Sequence, residues 1–229
     1  MPIVRQEGVF DPTQAIVPLF SLNGSGLPSA FLGTGFFVGE ESALVTANHV
    51  IKDKGPIGII VLPDLKNVHK ATILKADQEA DLVILQVNDY KPIIRFSLFP
   101  DDDILFNQLC TCCEYGTTIA MGTEIQISPA VRTGNVTRRF KSLDVYGKAG
   151  EDALELSFPA LRGASGAPVL TSDNFLVVGI VIANLAHYLH PVQIEKITDE
   201  KGKAIEETRF MLPQAIAVHV KHLRNLMGQ

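Results

Sequence analysis

Gly163-Ala164-Ser165-Gly166-Ala167-Pro168-Val169-Leu170 sets a glycine-bracketed serine in a turn that runs straight into an apolar stretch. Glycines flanking short polar residues are the composition of a tight turn. The apolar residues that follow are too few for a helix and suit a buried strand. The same pattern repeats outward along the chain. Short runs rich in Val, Ile, Leu and Phe recur at Ala15–Phe20, Ala30–Val38, Ala43–Thr46, Ile57–Leu62, Lys70–Lys75 and Leu82–Val87. A second set covers Leu109–Glu114, Glu124–Arg132, Asn135–Arg139, Ala153–Ser157, Ala167–Leu170, Phe175–Ile182 and Thr208–Leu212. Many short strands with regular turns predict an all-β barrel or sandwich.

Between the two sets lies Lys91–Asp103, with Pro92, Pro100 and the acidic run Asp101-Asp102-Asp103. Prolines and clustered charge mark a connector. The expected division is a first half at residues 1–95, a link at 96–108 and a second half at 109–229. The end of the chain differs. Ile216, Val220, Leu223 and Met227 fall on one face at helical spacing, after Pro213, and predict a terminal helix. His219, Lys221, His222 and Arg224 are then expected on its solvent side.

Of 229 residues, 46% are hydrophobic and 20% charged, with a formal net charge of -5. That composition is globular and large enough to bury a core. The acidic balance and the lack of a basic run argue against nucleic acid as a partner. No apolar stretch has the length of a membrane span. Met1–Glu7 shows no secretory signal core, and Cys110, Cys112 and Cys113 form an odd, clustered set unsuited to a disulfide framework. Together these predict a cytoplasmic chain without membrane partners, with buried thiols in a strand. No metal or other cofactor is expected. His187 and His190 sit three apart, but without a neighbouring Cys or carboxylate they suit loop histidines better than ligands.

Three segments carry a chemical pattern. Thr46-Ala47-Asn48-His49-Val50 follows an apolar strand, Ala80-Asp81-Leu82-Val83-Ile84-Leu85 opens one, and Ser165 lies in the turn quoted above. A serine hydroxyl is a weak nucleophile at neutral pH. It needs a base within hydrogen-bond reach, and that base needs a third group to hold its tautomer. His49 can take the Ser165 proton and Asp81 can accept from the other ring nitrogen. Glycine at 163 lets the backbone N–H groups of Gly163 and Ser165 converge on a developing oxyanion. Each segment alone is weak; three in this order, split between the halves of an all-β chain, form a candidate catalytic set.

On these residues the chain resembles the chymotrypsin-fold serine proteases, and among them the bacterial trypsin-like peptidases of the HtrA (Deg) type. The similar segments are Gly33-Thr34-Gly35-Phe36-Phe37-Val38, Leu44–Val50, Ala80–Leu85 and Gly163–Val169, with weaker matches at Val131–Val136 and Val177–Ile180. The resemblance implies two six-stranded antiparallel Greek-key β-barrels with a C-terminal α-helix, and a cleft between the barrels. It implies a serine endopeptidase acting on protein or peptide substrates through an acyl-enzyme. His49 and Asp81 would come from the first barrel, Ser165 and the oxyanion donors from the second.

The departures matter as well. Ala164 stands where zymogen-activated relatives carry an Asp, so activation by a freed amino terminus is not expected. No PDZ domain is expected after the terminal helix. By resemblance, the pocket for the substrate side chain is lined by Pro159, Ala160 and Leu161 and by Ile180, Val181, Ile182 and Ala183. None is charged, which implies a preference for small or medium apolar residues. Gly147–Asp152 and Val192–Glu207 are expected as loops bordering the cleft, able to order on activation. The alternative reading is a protease-fold scaffold that holds peptides without cutting them.

Overall fold

The computed structural model describes residues 11–39, 43–101, 103–104, 106–116, 120–121, 124–125, 128–143, 149–188, 193–199, 202–208 and 211–229. A single 3-10 turn at Pro12–Ala15, capped by the Asp11 carboxylate, leads into the first barrel. Its strands are β1 (Ile16–Leu22), β2 (Pro28–Val38), β3 (Ala43–Ala47), β4 (Ile57–Val61), β5 (Asp64–Asp77) and β6 (Leu82–Val87), with a one-turn helix α1 (Asn48–Ile51) after β3. They close in the order β1-β2-β3-β6-β5-β4. Then come β7 (Leu109–Glu114), β8 (Ala120–Met121), β9 (Glu124–Ile125), β10 (Ala130–Leu143), β11 (Ala149–Leu156), β12 (Pro168–Thr171), β13 (Val177–Tyr188), β14 (Gln193–Asp199), β15 (Gly202–Thr208), β16 (Met211–His219) and helix α2 (Val220–Met227). Of these, β10-β11-β16-β13-β12-β7 close a second barrel, while β8/β9 and β14/β15 are two-stranded hairpins. The two six-stranded antiparallel barrels and the terminal helix expected above are therefore present.

Period-two alternation explains how continuous apolar runs build this fold. Phe36 and Phe37 are adjacent and both fully buried. Phe37 points inside the first barrel with Val17, Leu19, Leu44 and Val83. Phe36 points the other way, to Val45, Phe96, Tyr115 and Val177, in a core shared by both halves. Strands apolar on both faces thus fill a barrel and join it to its neighbour. Phe96, in the link, bridges Val38, and Leu98 bridges Val177, so the connector is stitched to both barrels. The three thiols of β7 are free and buried; burial pushes Cys110 and Cys113 up to about 12. No described helix is long and apolar enough to cross a membrane.

Several boundaries differ from the sequence reading. The two runs 124–132 and 135–139 become the short β9 and the continuous β10. Ile216 and Pro213 lie in β16, and the helix begins only at Val220. A short apolar run does not by itself separate helix from strand. His219 caps the helix, its Nδ1 accepting the Lys221 N–H at 3.1 Å. His219 and His222 are buried, not solvent-facing, because α2 packs against β13 and β5. The segments expected as loops contain strands: β11 starts at Ala149, and 193–208 holds the β14/β15 hairpin.

Asp152 shows what that change means. From β11 it accepts hydrogen bonds from Arg139 Nη2 at 3.1 Å and from Lys221 Nζ of α2. Those two cations hold its carboxyl at about 2, below the ordinary 3.8. Its contribution to stability is therefore complete above 3.8 and fades as pH falls from there toward 2. Asp152→Asn is expected to flatten that limb by about 1 kcal/mol. Urea midpoints of both proteins between pH 5 and pH 2 check it.

Candidate active site

Asp81, the turn residue just before β6, has a left-handed conformation, φ 54°. Asp tolerates that region better than most residues, and such positions mark constrained sites. Here the turn lets one residue bond three times to the segment after β3. The Asp81 carbonyl accepts the Asn48 N–H at 2.9 Å, Oδ1 accepts the His49 N–H at 2.8 Å, and Oδ2 meets His49 Nδ1 at 2.5 Å. The imidazole is thus oriented by a carboxylate that is itself locked, leaving Nε2 as its other ring nitrogen. The ring remains about half exposed, at 47%.

The Ser165 turn comes from the second barrel and docks on the first. Thr34 of β2 is fully buried and serves both. Its N–H donates to the Ser165 carbonyl at 3.0 Å and its hydroxyl to the Gly163 carbonyl at 2.8 Å. The same hydroxyl accepts the Tyr115 N–H at 2.9 Å, and the Thr34 carbonyl accepts from Thr46 Oγ1 at 2.7 Å. Gly33 permits the approach: a Cβ there would lie 2.9 Å from the Ser165 carbonyl oxygen and 3.0 Å from Val50, the residue after His49. The structure thereby brings the serine turn beside the His49 segment. No hydrogen bond joins Ser165 to His49 among the described residues.

The turn's own N–H groups alternate. Ala164 donates to Leu161, Gly166 to Val181 and Ala167 to Ala164, at 2.9, 2.7 and 2.9 Å. The N–H groups of Gly163 and Ser165 have no acceptor among the described residues. Gly163 at φ 94° and Gly166 at φ 86° make that alternation possible. Such a pair of unspent donors, flanking a serine, can receive a developing negative charge.

Around the turn the sequence-derived residues separate into two groups. Pro159 and Leu161 are half-buried and Ala160 is buried at 7%, just before the turn. Ile182 is half-buried and Ala183 exposed, on the part of β13 whose strand pairing is with β16 alone. Ile180 and Val181 are sealed in two different cores and present no side-chain surface. His187 pairs with Leu212 through its backbone, while its side chain, and His190 altogether, lie outside the described residues.

Sequence reasoning assigned no role to Thr34, Asn184, Glu114 or Arg132. The threonine stood inside a quoted segment, between two glycines, and that was its only signal. Glu114 ends β7 with its side chain 1% exposed, bonded to Arg132 Nε at 2.5 Å. Burial holds its carboxyl above the usual range, with Arg132 opposing. Its Oε1 would lie 2.8 Å from a Cβ on Gly116, which itself faces Leu161. The pair therefore backs the serine turn. Arg132→Ala strands a buried carboxylate and is expected to destabilise the fold by about 3 kcal/mol, read from guanidinium denaturation at pH 7.

A family model described as Trypsin-like peptidase domain matches residues 33–180. The chain belongs to this family. Among curated relatives of this trypsin-like peptidase, the magnetosome formation protease MamE of Paramagnetospirillum magneticum is 27% identical over 173 residues, 71% of this chain and 22% of its own length. A probable periplasmic serine endoprotease, DegP-like, of Bartonella henselae is 31% identical over 156 residues, 67% of this chain and 28% of its own. The chain thus spans under a third of these relatives. Solved structures share the fold: the HtrA-type protease AlgW with a decapeptide has a TM-score of 0.67 at 16% identity, covering 94% of this chain and 64% of that one. Rv3671c from M. tuberculosis H37Rv has a TM-score of 0.58 at 15% identity, covering 95% and 86%.

The expected cytoplasmic location is overturned by these relatives, which are named as periplasmic or magnetosome proteases. Two weak signals had supported it. The first residues of a chain that matches under a third of its relatives do not report compartment. Three thiols sealed in β7 are shielded from redox chemistry in any compartment.

Proposed function

We propose that this trypsin-like peptidase is a serine endopeptidase, with His49, Asp81 and Ser165 as its catalytic residues and the N–H groups of Gly163 and Ser165 as oxyanion donors. The observation that carries this reading is the double hold of Asp81 on His49, through the ring Nδ1 and the backbone N–H. Ser165 Oγ attacks the scissile carbonyl carbon while His49 Nε2 takes its proton. The tetrahedral oxyanion lies against the two N–H groups. His49 then protonates the leaving amine as the C–N bond breaks, leaving an acyl-enzyme that water cleaves by the same steps. The missing Ser165–His49 hydrogen bond closes on substrate binding, as is common for such pairs.

Pro159, Ala160, Leu161, Ile182 and Ala183 flank the substrate chain. Peptides held by the AlgW relatives support a peptide or protein substrate, and the DegP-like names support a periplasmic setting. One observation favours a second reading, peptide binding without cleavage: the unmade Ser165–His49 contact. Fluorophosphonate labelling separates the two. Wild type labels and Ser165→Ala does not; a wild type that stays unlabelled in the presence of peptide sinks the endopeptidase reading.

A further inference from the structure

Beyond the serine turn, one polar side chain does something unusual for its position. Asn184 lies on β13, directly opposite Ala215 of β16. Its carboxamide pairs with both backbone groups of Ala160: Oδ1 accepts the Ala160 N–H at 2.7 Å, and Nδ2 donates to the Ala160 carbonyl. A side-chain amide has one acceptor and two donors, and this one satisfies a backbone residue as a neighbouring strand would. Ala215 sits between the partners. It is fully buried, faces Asn184 in the sheet, and donates its N–H to the Phe158 carbonyl at 2.7 Å. The carboxamide therefore ties β13 to the segment leading into the serine turn, across the place where Ala215 contributes only a methyl group.

That place has a chemical meaning if the proposed function holds, on which this inference rests. A carbonyl oxygen seated on the Gly163 and Ser165 N–H groups puts the neighbouring side chain beside the stretch entering the turn. On the other side lies β13 past Val181, the last residue that bonds the turn. Pro159–Leu161 and Ile182–Asn184 are thus the two walls. The Asn184–Ala160 pair joins them.

We infer that Asn184 is a specificity-determining residue, a bar across this pocket that admits only small side chains such as those of Ala, Ser, Val or Thr at the residue preceding the scissile bond. The carboxamide oxygen and one of its two N–H donors are engaged by Ala160, which fixes the orientation of the bar. It acts by occupying depth. Its partners Ala160 and Ala215 carry only methyl groups, so shortening Asn184 is what would let a larger substrate side chain in.

The test uses binding, so that it does not depend on catalysis. Acetylated peptides ending in Ala, Val, Leu or Phe carboxylate are titrated calorimetrically into Ser165→Ala protein, with and without Asn184→Ala. Peptides ending in Ala or Val should bind the Asn184 protein about ten-fold or more tighter than those ending in Leu or Phe. Asn184→Ala should raise Leu and Phe affinity by about ten-fold and leave Ala within about three-fold. Equal binding of all four peptides to the Asn184 protein overturns the inference without any second variant. So does an unchanged order, or an equal loss for all four, in Asn184→Ala; an equal loss marks a structural tie. Asn184→Ser, too short to span to Ala160, repeats the test should Asn184→Ala fold poorly. A chain that gives the expected order but resists fluorophosphonate loses the endopeptidase reading and keeps this one; a labelled chain with a flat order loses only this one.

Discussion

Asp81→Asn is expected to lower kcat by about 10⁴-fold while the protein stays folded. The asparagine carbonyl can still accept the His49 N–H, and Asn is at ease at the positive φ of this position. What changes is the partner of the ring. An amide N–H₂ now faces His49 Nδ1, and two donors cannot bond. The imidazole answers by moving its proton to Nε2, which then cannot accept from Ser165. Steady-state rates beside a thermal melt check it. A rate within ten-fold of wild type removes Asp81 from the proposed mechanism; a large fall in melting temperature makes its role structural.

The second large effect is on folding. Gly166→Ala is expected to destabilise the chain by about 3–5 kcal/mol and to abolish labelling. Gly166 has φ 86°, where a Cβ is itself costly. That Cβ would stand 2.1 Å from both the Thr34 carbonyl oxygen and Thr46 Oγ1. Those two atoms are hydrogen-bonded to each other, so neither can retreat alone. Thr34 also holds the Gly163 and Ser165 carbonyls, so the collision reaches the serine turn. An unchanged denaturant midpoint with intact labelling would contradict the geometry.

Much of the fold was legible because barrel strands bury both faces. β6 and β7 begin and end where their apolar runs do, at Leu82–Val87 and Leu109–Glu114. The pattern failed where burial carried no period. Ala215–Val218 are buried without a break, and nothing local distinguishes that run from the start of α2. Histidines there read as polar and exposed, yet His219 turns inward to cap the helix, a role set by its place at the barrel edge. Ile180 and Val181 were expected to line the substrate pocket but point into cores, because a strand's alternate side chains choose faces that only packing defines.

By itself the sequence determined the all-β class, the presence of a glycine-rich serine turn and of separate His and Asp segments at strand ends, and the apolar character of the residues around the turn. These are local properties: turn chemistry, residue type and short-range burial pattern. Tertiary structure alone decided which contacts they make. Asp81 reaches His49 over 32 positions of chain. Thr34 clamps a turn 129 positions away, and Asn184 finds Ala160 across an intervening strand. Such contacts depend on barrel closure and strand register, which arise from packing the whole chain at once. No segment encodes them alone.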